Sequence, residues 1–313
     1  LEIRSDFGDC EQEANMAIKI IARRNDIGFM VYFLRKQYYC PWVYKPRMKV
    51  PLNIGSLNKH SMNNRTLVIL NVLALIGVLT VNALANILPI NGMNTGQVSA
   101  LYPSLFTPAG FTFSIWSVIY LLLIGFIIVQ YTLQTKSYFA ELSLWFLASS
   151  FFNMSWIFAW HYQLLYASVI IMLLLLFSLS KIFLLLQQNK LTTWKERFFI
   201  KLPFTFYLSW ICVATIANIS ALLVSLSWEG GFLTPVTWTI TMISIASVLG
   251  IFIAERYREP AFLLVLMWAL FGIYSKWTGT ENNSIAVTAL TELILLTILF
   301  FVFQFGLRKN PVT

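Results

Sequence analysis

Charge is what this sequence has little of. Only 11% of its residues are Asp, Glu, Lys or Arg, where a water-soluble domain carries roughly 25%. The shortfall lies after residue 65, where long apolar runs follow one another with few breaks. No single globular core could bury them all in water. Histidine is nearly absent, at His60 and His161, and the chain has no H-E-x-x-H, P-loop or G-x-S-x-G. The signatures of zinc proteases, phosphate-binding loops and serine hydrolases are therefore missing. Cys10, Cys40 and Cys212 show no paired spacing, which argues against a disulfide framework or a zinc site. Acids well inside the apolar runs, usual in proton-relay transporters, reduce to Glu292, since Glu141 stands at the very start of its run. No set of residues argues for catalysis, a metal or a required cofactor. The basic excess, 22 Lys and Arg against 13 Asp and Glu, does not mark a nucleic-acid binder, because in the apolar part it is sorted by loop.

What the sequence does have is eight apolar runs, at 66–88, 111–133, 141–160, 164–187, 202–226, 235–254, 260–277 and 285–307. Each is long enough to cross the hydrocarbon region as a helix, the one open-chain structure that satisfies its own backbone there. Taking Arg65 as cytoplasmic, alternate connections carry Lys136, then Lys190, Lys195, Arg197 and Lys201, then Arg256 and Arg258, then Arg308 and Lys309. The opposite connections hold almost no Lys or Arg, Lys276 excepted. This positive-inside pattern predicts an even number of spans with both termini of the membrane part cytoplasmic. The fold expected is an all-α, multi-pass membrane protein with eight spanning helices.

Residues 1–61 differ in composition and contain one short apolar run, Ile27 to Leu34, too short to span. They read as a poorly ordered extension or a non-native upstream segment, with Met62 opening the functional chain. A cytoplasmic appendage with its own role is the alternative.

The connection 89–110 is rich in turn formers, uncharged, and carries Tyr102, Leu105, Phe106 and Pro108. Long loops without structure usually cover a site or stay disordered; this one is expected to pack on the bundle, either as interfacial filling or as a lid. Trp116, Trp145, Trp156, Trp160 and Trp210 are interspersed with Asn82, Asn86, Asn153 and Asn218. Asn153 and Trp156 are three apart and share a helical face; Trp210 and Asn218, eight apart, nearly share one. Buried amides must be paired, so these residues either join helices to each other or line a pocket for a flat, largely apolar ligand. His161, beside Trp160 and Tyr162, reads as a structural residue of an aromatic belt, or as an axial haem ligand. Glu292 is a functional candidate or a partner of neighbouring Ser, Thr or backbone groups.

At these residues the chain resembles the TspO/MBR family, the tryptophan-rich sensory proteins related to the mitochondrial translocator protein. Trp116-Ser117-Val118-Ile119-Tyr120 is similar to the family's W-T-x-L-Y, and Pro108-Ala109-Gly110-Phe111-Thr112-Phe113 before it to P-P-x-W-x-F. Asn153-Met154-Ser155-Trp156 is similar to N-x-x-W. Tyr207-Leu208-Ser209-Trp210, with Ala214 and Asn218, follows the family's Y-x-x-W, A and N. The chain departs by one residue fewer between Phe113 and Trp116, by the lack of a Pro there, and by Phe206 in place of the Pro before Tyr207. Residues 62–226 correspond to a five-helix bundle, and 227–313 add three helices that five-helix members lack.

The resemblance implies an aromatic pocket in the first five helices with Trp116, Tyr120, Asn153, Trp156, Tyr207, Trp210, Ala214 and Asn218 as its wall. The lid would carry Tyr102, Phe106 and Pro108. It also implies a plasma-membrane binding protein or sensor for a hydrophobic small molecule, tetrapyrrole- or sterol-like, with porphyrin or haem as ligand rather than cofactor. A transporter of a small amphipathic substrate and a porphyrin-degrading enzyme are the alternatives. Membrane lipid is an expected partner, and a homodimer stays open. Val129-Gln130-Tyr131 with Lys136 fits a cholesterol-contact pattern.

Overall fold

The computed structural model describes residues 63–189, 191, 193–228 and 230–309. The expectations for residues 1–61 and Met62 lie outside them, as do Cys10, Cys40 and His60. Among the described residues every regular element is helical and there is no strand. Eight long helices run in order: α1 Asn64–Ile87, α2 Ile115–Val129, α3 Phe139–His161, α4 Leu165–Gln188, α5 Leu202–Ser225, α6 Pro235–Tyr257, α7 Ala261–Trp277 and α8 Asn283–Lys309. Short 3₁₀ turns, Gly110–Ser114 and Gln130–Leu133, extend α2 at both ends, and a π turn, Arg197–Lys201, leads into α5.

The sequence sets several helix ends. Asn63 caps α1, its side chain accepting from Arg65 N, and Pro89 follows its last residues, where the position before proline is pushed out of the helical region. Pro203 lies in the first turn of α5 and Pro235 in that of α6, where the missing N–H costs nothing. α6 stops at Arg258, which takes a left-handed conformation with φ 54°, and Pro260 follows.

Among the described residues, seven helical stretches are long and apolar enough to cross a membrane: Asn64–Ile87, Gly110–Leu133, Phe139–His161, Leu165–Gln188, Trp194–Ser225, Pro235–Tyr257 and Asn283–Gly306. The eighth, α7, is apolar but has 17 residues, about 25 Å of helix, somewhat short of the roughly 30 Å hydrocarbon core. The chain is an integral membrane protein.

Within Ser61–Thr313, α3 packs on α1 and α4, and α5 on α4 and α2. α5 also meets α7, which packs with α6 and α8. Where little hydrophobic drive separates helix–helix from helix–lipid contact, close approach is set by small residues. A side chain at Gly250 of α6 would collide with Leu266 of α7.

One end of the bundle is basic. There Lys201 pairs with Glu259, and Lys136 Nζ lies 3.8 Å from Glu196 Oε1. The other end carries the connection between α1 and α2. That connection has its own structure: a short helix Thr95–Ala100 with a reciprocal capping box between Asn94 and Gln97.

Candidate functional site

The connection 89–110 is fastened at two places. Its first half is held by the end of α3. His161 is fully buried; its Nδ1–H donates to the carbonyl of Ile90 at 3.1 Å, which leaves Nε2 to accept from the Thr95 hydroxyl at 3.1 Å. Asn91 Nδ2 donates to the His161 carbonyl at 3.0 Å, and Tyr102 OH to Gln163 Oε1 at 3.2 Å. Both ring nitrogens of His161 are engaged, so its place is structural and neither is free to hold haem iron.

The second half descends along α7. Trp277 Nε1 donates to the Leu105 carbonyl at 2.9 Å, and Lys276 Nζ to that of Thr107 at 2.8 Å. The N–H of Ala109 donates to the Gly272 carbonyl at 3.1 Å, and Trp268 Nε1 to the Thr112 carbonyl at 2.8 Å. The contacts march down α7 as the numbers rise along the connection, over about 13 Å of helix. Gly272 permits it, because a Cβ there would strike Thr112 and Pro108. The carbonyls of this non-helical backbone are thus satisfied by side chains of a neighbouring helix. Of the residues expected in a lid, Phe106 and Pro108 are buried and Tyr102 is half-buried.

Below this strap the expected wall residues separate into two groups. The first is a ring cluster between α2 and α5. Trp116 stacks on Tyr120 with centroids 5.4 Å apart and planes 22° apart, and it meets Tyr207 and Trp210 edge-on at 5.7 Å and 6.3 Å. Phe113 closes on Trp210 at 6.0 Å. Such edge-on contacts suit the ring quadrupoles. Trp210 is 2% exposed, yet among the described residues its Nε1–H has no hydrogen-bond partner, and neither has the buried hydroxyl of Tyr120. Buried donors are seldom left so.

The second group is a set of amides that join helices. Asn82 Nδ2 on α1 donates to Asn153 Oδ1 on α3 at 2.8 Å, and Asn153 Nδ2 donates to the Tyr207 hydroxyl on α5 at 2.9 Å. Trp156 Nε1 donates to Asn218 Oδ1 at 2.7 Å, and Asn218 Nδ2 to Ser168 Oγ on α4 at 2.9 Å. Of the two readings of the buried Asn residues, the geometry favours the joining of helices, with Tyr207 shared between network and cluster. Ala214 packs, half-buried, against the core. Ser168 escaped the sequence reading, Phe113 was named there only within a motif, and no place in the site was given to Trp268, Gly272, Lys276 or Trp277. The one signal for the last four was a pair of Trp nine apart beside the lone Lys of that end.

Glu292, in α8, accepts from Ser244 Oγ of α6 at 3.3 Å. Among the described residues no group of His, Cys, Asp and Glu is arranged to hold a metal.

The sequence pattern of the family described as TSPO-like protein matches residues 68–302. The chain belongs to the TSPO-like protein family. The match runs from α1 into α8, so in this TSPO-like protein α6 to α8 are part of what the family shares, and α7 is the helix that holds the strap. No curated protein and no solved structure matches the chain.

Proposed function

We propose that this TSPO-like protein is a plasma-membrane binding protein or sensor whose ligand, a tetrapyrrole- or sterol-like molecule such as a porphyrin or haem, enters the ring cluster of α2 and α5. The observation that carries the reading is the pair of unpartnered buried donors, Trp210 Nε1–H and Tyr120 O–H, among stacked and edge-on rings. A flat apolar molecule bearing an acceptor would stack on the rings and satisfy those donors. Trp116 and Tyr120 are only half-buried, which makes their side the way in. Asn153, Trp156 and Asn218 then act as the frame that fixes the helices, and the strap over α7 as the roof.

In this reading all eight helices span. α7 begins beside Glu259, which pairs with Lys201 at the basic end, and finishes at Lys276 and Trp277 against the strap; its 17 residues are the lower limit for a span. The basic end faces the cytoplasm, by the positive-inside asymmetry, and both termini of the membrane part lie there.

Titration of the purified protein with protoporphyrin, haem and a sterol, in darkness and under light, tests the reading. Saturable binding with the ligand unchanged is the result expected. Light-dependent loss of the ligand would make the protein an enzyme acting on it, and no binding at all would favour the transporter.

A further inference from the structure

A small cavity lies away from the ring cluster, where α5 meets α6 and α7. Its walls include Val213 of α5, Ile243 and Ser247 of α6, Leu266 and Ala269 of α7, and Phe106 of the strap. Its free space is about 10 Å³ and it is partly open, with room for about one water. The six residues named are buried, and Ser247 is the polar residue of the lining. Among the described residues its hydroxyl has no hydrogen-bond partner. Ser and Thr in helices ordinarily turn the hydroxyl back to a carbonyl of the preceding turn. Thr239 and Thr241 on the same helix do so, to Pro235 and Thr237, and Thr215 on α5 does so to Ile211. Ser247 stands apart from them, and it lines the cavity. A lone hydroxyl among hydrocarbon walls suits water poorly, since buried water makes about three hydrogen bonds.

We propose that this cavity is a second binding site, for a membrane-dissolved, ring-sized apolar molecule bearing one hydroxyl or carbonyl, whose oxygen bonds to Ser247 Oγ. The body of that molecule takes the place of the Phe106 side chain. Phe106 is the wall residue that belongs to no helix, held in place through the strap carbonyls of Leu105 and Thr107 on either side of it. The site is independent of the ring cluster and stands whether or not that cluster binds porphyrin.

The Phe106 side chain is itself a benzyl group, so benzyl alcohol and toluene are matched probes of a vacated wall. With the full chain in detergent, benzyl alcohol should bind about fivefold tighter than toluene, one hydrogen bond's worth. Phe106→Ala should tighten both probes, and both should raise its lowered Tm, the alcohol more. Ser247→Ala should drop the alcohol below toluene in either background, since its hydroxyl is then buried without a partner, whereas Trp210→Phe should change neither probe. Equal binding of the two probes to the unaltered chain, or an alcohol preference that survives Ser247→Ala, overturns the proposal. If Phe106→Ala does not fold, the Ser247→Ala comparison in the unaltered background decides alone.

Discussion

The ammonium of Lys276 lies 2.8 Å from the carbonyl oxygen of Thr107, one turn of helix beyond the point where Gly272 meets Ala109. A lysine late in α7 thus holds a segment 169 positions earlier in the chain. Its removal should loosen the strap before it harms the bundle. Lys276→Met keeps the stem and removes the donors; it should cost about 1.5 kcal/mol, the low end for a bond to a charged group, because the side chain is half-buried. Hydrogen exchange should quicken over residues 104–112 and stay unchanged at the centre of α3. Uniform quickening along all helices would mean that Lys276 holds the bundle and not the strap.

The bond from Asn153 to Tyr207 makes a sharper test of the amide frame. Asn153→Leu keeps the volume but leaves the Tyr207 hydroxyl buried without a partner, and should cost about 1–3 kcal/mol. Tyr207→Phe in the same chain should recover part of that loss, since the orphaned hydroxyl is then gone. Thermal unfolding of the two single variants and the double variant gives the coupling. Strictly additive losses would show that the two side chains do not act together.

Trp156 and Trp210 should respond in opposite ways to the same substitution. The Trp156 N–H is already given to Asn218, so Trp156→Phe should lower stability by about 0.5–1.5 kcal/mol and leave ligand affinity alone. The Trp210 N–H has no partner among the described residues, so Trp210→Phe should leave stability unchanged and weaken porphyrin binding by about 0.5–1.5 kcal/mol. Binding that survives Trp210→Phe intact would remove the ring cluster as the porphyrin site.

Glu292→Gln keeps a side-chain oxygen for Ser244 and should leave porphyrin binding as it was. A binding titration that collapses on this change would move the site into α6 to α8.

Orientation is open to chemical labelling. In a chain with Cys10, Cys40 and Cys212 replaced, single cysteines at Ser99 and at Lys195 should react with an impermeant reagent from opposite sides of the membrane. Reaction of both from one side is incompatible with the even-span arrangement.

Much of this protein could be read in one dimension. A helix in lipid satisfies its own backbone, so a run such as 164–187 declares itself a helix without reference to any neighbour, and α4 is found at Leu165–Gln188. Loop charge is equally local, which is why the separation of Lys136, Lys201 and Arg256 from the strap end was legible. The Trp and Asn residues of α3 and α5 could also be picked out, because an amide in an apolar run must have a reason. What the sequence by itself could not determine was the partner of each. Asn153 bonds to residues 71 and 54 positions away, and Trp277 to one 172 positions away. Helices apolar on every side carry little periodic signal to say which face turns inward, so rotation and neighbour are decided by packing. Tertiary structure therefore decided that Trp156 is spoken for while Trp210 is not, and that Phe106 closes a cavity beside Ser247. It also decided that α7 is the helix on which the connection 89–110, expected only to pack somewhere on the bundle, is laid.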